Sequence, residues 1–137
     1  MWLYQDKEFT SDMIGDHVGF VYEIKDTANG MKYIGKKRFW SKVTKPPLKG
    51  KKNKRRSVKE SEWKDYCGSS SEVAALVEAH GISRFERRII RLCKSLGEMS
   101  YYETKAHFDN EVLFKPQEYY NSFVGCRIHR KHVYPPK

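Results

Sequence analysis

The feature that most restricts what this chain can become is a turn signal set between two strand-like runs. Gly19-Phe-Val-Tyr-Glu-Ile-Lys25 and Met31-Lys-Tyr-Ile-Gly35 are rich in β-branched and aromatic residues, which suit a pleated, half-buried surface. Between them stands Asp26-Thr-Ala-Asn-Gly30, whose Asn29-Gly30 pair suits the positive φ angles of a hairpin turn. An antiparallel β-hairpin is predicted over 19–35.

Downstream, Ser71 to His80 has apolar residues at helical spacing and stops at Gly81, a good C-terminal cap. A helix is predicted there. Arg84 to Lys94 (RFERRIIRLCK) reads two ways: Phe85, Ile89 and Leu92 fit a helical stripe, whereas brevity and the β-branched pair fit a strand. Glu98 to Phe114 is predicted helical, offering Tyr102, Ala106, Val112 and Leu113 to a core, with Pro116 ending it. At 137 residues the whole is expected to be one domain, residues 1–137.

The formal charge is +10, and the excess is concentrated. Lys36, Lys37, Arg38, Lys42, Lys45, Lys49, Lys51, Lys52, Lys54, Arg55, Arg56 and Lys59 follow one another with no acidic residue among them. Such a stretch repels itself unless a polyanion neutralises it, and a phosphate backbone does so with release of counterions. Nucleic acid is the expected partner; a solvated charge run or a receptor-read import signal is the plainer alternative. Pro46, Pro47 and Gly50 predict an extended loop, an insertion over about 42–60. Lys64, Arg127 and Arg130 are expected to add to the same binding surface. Arg84, Arg87, Arg88 and Arg91 either extend that face or form a solvated stripe.

No apolar run approaches the roughly 18 residues of a spanning helix, so no membrane partner is expected. The start, MWLYQDKEF, lacks the basic and apolar regions of a secretory signal, and the cytoplasm is the expected compartment. Three widely spaced cysteines, Cys67, Cys93 and Cys126, suit reduced thiols. Cys126, His129 and His132 could be imagined as half a zinc site, but no CxxC or second half exists. They are read as part of a basic tail.

Phe20-Val21-Tyr22, followed after ten residues by Tyr33-Ile34-Gly35, resembles the paired signature of the GIY-YIG nucleases, with Phe20 at the first glycine position or Gly19 shifted by one. Glu103 in Tyr101-Tyr-Glu103 matches the family's helical glutamate, and Asn121 after Tyr120 its later asparagine. The Lys-rich insertion and Trp63-Lys-Asp-Tyr-Cys-Gly-Ser-Ser70 are similar to small stand-alone, homing-type nucleases of large tailed bacteriophages. The resemblance covers roughly 19–125. It implies an α/β (α+β) fold: a small three-stranded, mainly antiparallel sheet near 19–25, 31–36 and 85–93, flanked by helices near 62–67, 71–80 and 98–114. It also implies hydrolysis of double-stranded DNA to 5′-phosphate and 3′-hydroxyl ends with Mg²⁺ or Mn²⁺, no small-molecule cofactor, and action as a single copy or a homodimer. A phage-encoded protein would work in the host cytoplasm.

These residue types suit phosphodiester hydrolysis, which needs an attacking water, a cation against the phosphate charge, and support for the leaving oxygen. Glu103 is the expected ligand of a hydrated Mg²⁺, which takes few protein ligands. By resemblance, Tyr22 acts near the water as base or orienter, Tyr33 supports the phosphate network, and Asn121 completes the set. A phenol with a pKa near about 10 is a poor base unless a cation lowers it, and Lys36 or Lys37 are the cations at hand.

The family's arginine, normally on the helix after the second tripeptide, has no match: position 43 is valine. Lys36, Lys37, Arg38 and Lys64 are the candidates to replace it, with Tyr66 where a histidine usually follows. Each residue also has a structural alternative. Tyr22 and Tyr33 could be sheet aromatics, Ser100-x-x-Glu103 a capping box, and Asn121 a turn residue. An impaired relative that binds DNA without cutting it, or a basic RNA-binding accessory protein, are the rival functions.

Overall fold

The hairpin is present in the computed structural model, as the outer part of a sheet larger than the predicted three strands. Residues 1–45, 49–50 and 55–125 are described, with backbone alone at 43–45 and 55–57. In chain order the strands are β1 (Trp2–Tyr4), β2 (Lys7–Phe9), β3 (Gly19–Asp26), β4 (Lys32–Arg38), β5 (Trp40–Lys45), β6 (Arg55–Glu60) and β7 (Phe85–Cys93). Two α-helices, α1 (Ser71–His80) and α2 (Leu96–Asp109), accompany them. The main sheet has the order β2-β1-β7-β3-β4, and β5-β6 form a separate two-stranded ribbon.

The two added strands come from the N-terminus. β1 runs parallel to β7, with Trp2 beside Arg87, and puts Trp2 into the core at 1% exposure. Three-residue strands carry too little periodicity to be seen locally. The ambiguous segment 84–94 is a strand, antiparallel to β3. The register shifts between Val21 and Tyr22, so that Ile90 bulges out, 49% exposed, between partners Ile89 and Arg91. That extra residue breaks the two-residue alternation and explains why the stripe imitated a helix.

The predicted turn forms with one change. Of the Asn29-Gly30 pair only Gly30 takes a positive φ, +78°, while Asn29 accepts a hydrogen bond through Oδ1 from the Met31 amide. The turn is anchored by fully buried Asp26, whose carboxylate receives Nε and Nη2 of Arg84 at 2.8 and 2.9 Å and the Tyr120 hydroxyl at 2.7 Å.

Alternation along β3 sends its side chains into two cores. Phe20, Tyr22 and Ile24 join Trp2, Phe9, Phe39, Trp63, Val73 and Ile89 on one face. Val21 and, from β4, Ile34 join Cys93, Met99, Val112 and Tyr119 on the other, beneath α2.

The helices need small corrections. Residues 62–67 form only a single 3-10 turn, Trp63–Asp65. α1 has its predicted limits, with the Ser70 hydroxyl accepting from the Val73 amide and Gly81 at φ +89°. α2 begins at Leu96, because Ser95 caps it by accepting from the Glu98 amide, and ends at Asp109 rather than Phe114. Asn110 binds the Ala106 carbonyl and Glu111 turns left-handed, φ +52°, before a 3-10 turn at Val112–Phe114.

The Lys-rich segment is corrected in part: its flanks are not loop but the antiparallel strands β5 and β6, in register from Trp40 opposite Glu60 to Lys45 opposite Arg55. Lys49 is exposed in a turn. Lys51, Lys52 and Lys54, and Arg127, Arg130, Cys126, His129 and His132 in the tail, lie outside the described residues, as do the side chains of Lys45, Arg55 and Arg56.

Candidate active site

β4 is the outer strand of the main sheet, and the candidate residues lie on both of its faces. Tyr22 and Tyr33 belong to one core; Lys36 and, from α2, Glu103 meet on the opposite side. What lets the faces communicate is Gly35. It pairs with Tyr22 across the hairpin, and a β carbon on it would fall 2.3 Å from the Tyr22 hydroxyl. The phenol occupies the room a side chain would take.

Tyr22 is 1% exposed, packed 5.4 Å from Trp2, 6.3 Å from Tyr33 and 5.9 Å from Tyr66, ring centre to ring centre. Burial first, then the neighbouring Tyr66 and Tyr33, push its pKa far above the ordinary tyrosine value. The expected lowering by Lys36 or Lys37 does not occur. Tyr33 is likewise raised by burial, opposed by a 2.8 Å hydrogen bond between its hydroxyl and Ser69 Oγ. Both phenols feel the negative charge of Glu103.

Glu103 is not part of a cap. With Ser95 at the helix start, Glu103 falls in mid-helix and turns toward β4. Its side chain is 16% exposed, and its one ion-pair contact among the described residues is Lys36 Nζ at 3.9 Å. Burial raises the carboxyl pKa, with Lys36 and His107 opposing the rise. A desolvated carboxylate with so loose a partner is suited to a hydrated divalent cation. No group of three or more His, Cys, Asp or Glu donors gathers among the described residues, so a cation beside Glu103 would have few protein ligands there and water for the rest.

The four candidate cations separate clearly. Lys64 is removed from the site: it borders a different cavity with Trp2, Phe9 and Trp63. Lys37 donates to Glu62 at 2.6 Å and stands 4.4 Å over the Tyr66 ring. Lys36 donates to Ser100 Oγ at 2.8 Å while facing Glu103. Arg38 is exposed and forms no ion pair among the described residues. Lys36, Lys37 and Arg38 together with Lys42 line a groove of about 460 Å³ that has no acidic residue in its walls among the described residues. α2 borders it through Met99 and Ser100, and the ribbon through Trp40 and Ser41.

Tyr66 also lines this groove, and a buried arginine sets its place. Arg87, 5% exposed, donates through Nη1 to the carbonyls of Lys64 and Tyr66, both at 2.8 Å, and stacks 5.0 Å over Trp2. Desolvation lowers its pKa. The arginines from 84 to 91 do not line the groove: Arg84, just before β7, holds Asp26, Arg88 pairs with Asp6 and Glu86, and Arg91 covers the Tyr102 ring.

Asn121 is 7% exposed and spends its amide on the backbone of β4: Oδ1 accepts from the Ile34 amide at 3.0 Å, and Nδ2 donates to the Ile34 carbonyl at 2.8 Å. His107, one turn after Glu103, adds a 3.0 Å bond from Nε2 to the same carbonyl. The sequence reading missed His107, Ser100 and Trp40. Spacing offered a signal for two of them, since Ser100 stands three residues before Glu103 and His107 four after it on the same helix face, and Ser100 was read only as part of a cap.

Comparison with known families gives one match. The model described as "Putative endonuclease segE, GIY-YIG domain" aligns with residues 2–124. No curated protein and no solved structure matches.

Proposed function

We propose that this chain, which belongs to the GIY-YIG endonuclease family, hydrolyses phosphodiester bonds of double-stranded DNA with Mg²⁺ or Mn²⁺, leaving 5′-phosphate and 3′-hydroxyl ends. The observation that carries this reading is the acid-free cationic groove from which Lys36 reaches across to the Glu103 carboxylate. A phosphate in that groove meets Lys36, Arg38 and Lys42, with Lys37 already paired to Glu62, while Glu103 supplies the nearby anion that a metal needs. The bound metal would offset charge developing on the phosphate and help ionise the attacking water.

The chain's own residues then divide the work. Glu103 would hold the cation through its carboxylate. Lys36 and Arg38 bind the scissile phosphate, and Arg38 takes the place of the family's arginine because its guanidinium has no ion-pair partner among the described residues. Tyr22 works as a neutral phenol that aligns Tyr33 and Tyr66, since burial opposes its ionisation. Tyr33, held by Ser69, orients water and phosphate. Lys37 fixes Tyr66 on the groove wall. Asn121 keeps Ile34, and with it the tripeptide strand, in place.

Supercoiled plasmid incubated with the protein and Mg²⁺, with and without chelator, tests the reading beside Glu103→Ala, Arg38→Ala and Tyr22→Phe. Chelator-sensitive cleavage that Glu103→Ala and Arg38→Ala abolish is expected. Equal nicking by every protein would sink the proposed site; binding without cleavage by the parent chain would favour the impaired-relative reading.

A further inference from the structure

The β5–β6 ribbon stands outside the main sheet, yet its root is locked to the body. Phe39, 0% exposed and stacked 5.6 Å from Phe9, is the single residue between β4 and β5. Where β6 returns, the Ser61 amide donates to the Phe39 carbonyl at 2.7 Å and the Ser61 hydroxyl to the Arg38 carbonyl at 2.6 Å. Glu60 accepts from Trp63 Nε1 at 2.8 Å and from the Ser11 hydroxyl. The ribbon's direction relative to Lys36 and Glu103 is therefore set by the core.

Its described surface has the chemistry of a polyanion contact. Residues paired directly across an antiparallel ribbon share a face. Trp40 with Glu60 and Lys42 with Val58 occupy one face, and Ser41 with Lys59 the other. Lys42 and Lys59 are exposed, one on each face. Trp40 and Val58, 39% and 63% exposed, put apolar surface on the same face as Lys42. Trp40, Ser41 and Lys42 line the same groove as Lys36. Strands about 4.8 Å apart and about 20 Å long suit the major groove of B-form DNA, about 12 Å wide, which admits a two-stranded ribbon.

We infer that the ribbon is a major-groove arm: it lies in the major groove of duplex DNA beside the scissile bond with its Trp40, Lys42 and Val58 face turned toward the bases, while Lys42 from β5 and Lys59 from β6 each reach the phosphate backbone along their own edge of the ribbon. This inference rests on the DNA-cleavage reading for its partner. A double-stranded RNA partner is disfavoured, because the A-form major groove is deep and narrow.

The test measures binding of the full chain to a fluorescent mixed-sequence DNA duplex without divalent metal, so that no turnover occurs. The major-groove ligand methyl green should displace the protein, and the minor-groove ligand distamycin should not. Lys42→Ala combined with Lys59→Ala should keep the circular dichroism of the parent and flatten the slope of log affinity against log salt by about two. An RNA duplex of the same sequence should bind no more tightly than that double variant binds DNA. Displacement by distamycin alone, an unchanged slope, or equal affinity for the RNA duplex would each overturn the arm. Plasmid cleavage separates the two readings. Groove-selective binding by a parent chain that never cuts leaves the arm standing and removes the nuclease, whereas cutting by a parent chain whose binding is indifferent to methyl green does the reverse.

Discussion

The hydroxyl of Tyr22 lies where a side chain on Gly35 would have to begin, with 2.3 Å between it and the β carbon position. The second glycine of the paired tripeptides is therefore a packing partner of the first tyrosine, with no need of an unusual backbone angle.

Gly35→Ala should force the Tyr22 ring aside. Overpacking of this kind costs about 1–3 kcal/mol, so the melting temperature should fall by roughly 3–10 °C and cleavage with it. In a Tyr22→Leu background the same change should cost markedly less. Additive losses in the double-mutant cycle would show that the two positions are independent.

Burial raises the Glu103 carboxyl pKa, so ionising it costs folding free energy. The sign follows: the protonated form is favoured in the folded state, and stability falls as pH rises above the unfolded value near about 4.3. Glu103→Gln should thus unfold at the same or a higher temperature at pH 7 while losing cleavage. Cleavage by the parent chain should weaken on acidification as this carboxylate is protonated. A destabilised Glu103→Gln chain would contradict the picture.

Asp26 behaves in the opposite sense. The Arg84 guanidinium and the Tyr120 hydroxyl hold its pKa down at about 2, against a usual value near about 3.9. Its contribution is fully present above the unfolded value and is lost as pH falls through 4 toward 2. Asp26→Asn should lower stability by about 2–4 kcal/mol at pH 7 and flatten this acid limb. Urea denaturation from pH 2 to pH 7 measures both effects; an unaltered acid limb would refute the assignment.

The Ile34 amide lies on the open edge of the sheet yet is held by Asn121. It should exchange with solvent slowly in the parent chain and rapidly in Asn121→Ala, by tenfold or more if about 1.4 kcal/mol of protection is lost. Cleavage should fall in parallel. Fast exchange in the parent chain would show that the clamp is not formed in solution.

Those elements whose signals are local were legible in the sequence: the β3–β4 turn from Asn29-Gly30, α1 from its spacing and Gly81, and the tripeptide pair with Glu103 from order along the chain. β1 was not, because Trp2 declares itself only by meeting Arg87 and Trp63 from distant segments. The ribbon was hidden by Pro46, Pro47 and Gly50, whose turn character was extended over the flanks. The division of the cations was invisible too, since Lys36, Lys37 and Arg38 are adjacent in sequence. Only alternation in a strand, and what stands on each side of it, sends Lys37 to Glu62 and Lys36 to Ser100.

Phe39 makes the junction between β4 and β5 intolerant of a one-residue change in length. In a strand, one residue gained or lost exchanges inside for outside, so an insertion there would turn the ribbon over relative to the groove. A length change made far from that junction, between β5 and β6, carries no such penalty for the root. Natural variation and deliberate grafting should respect the same boundary, with reach adjustable at the distal end and orientation inherited unchanged from one buried phenylalanine.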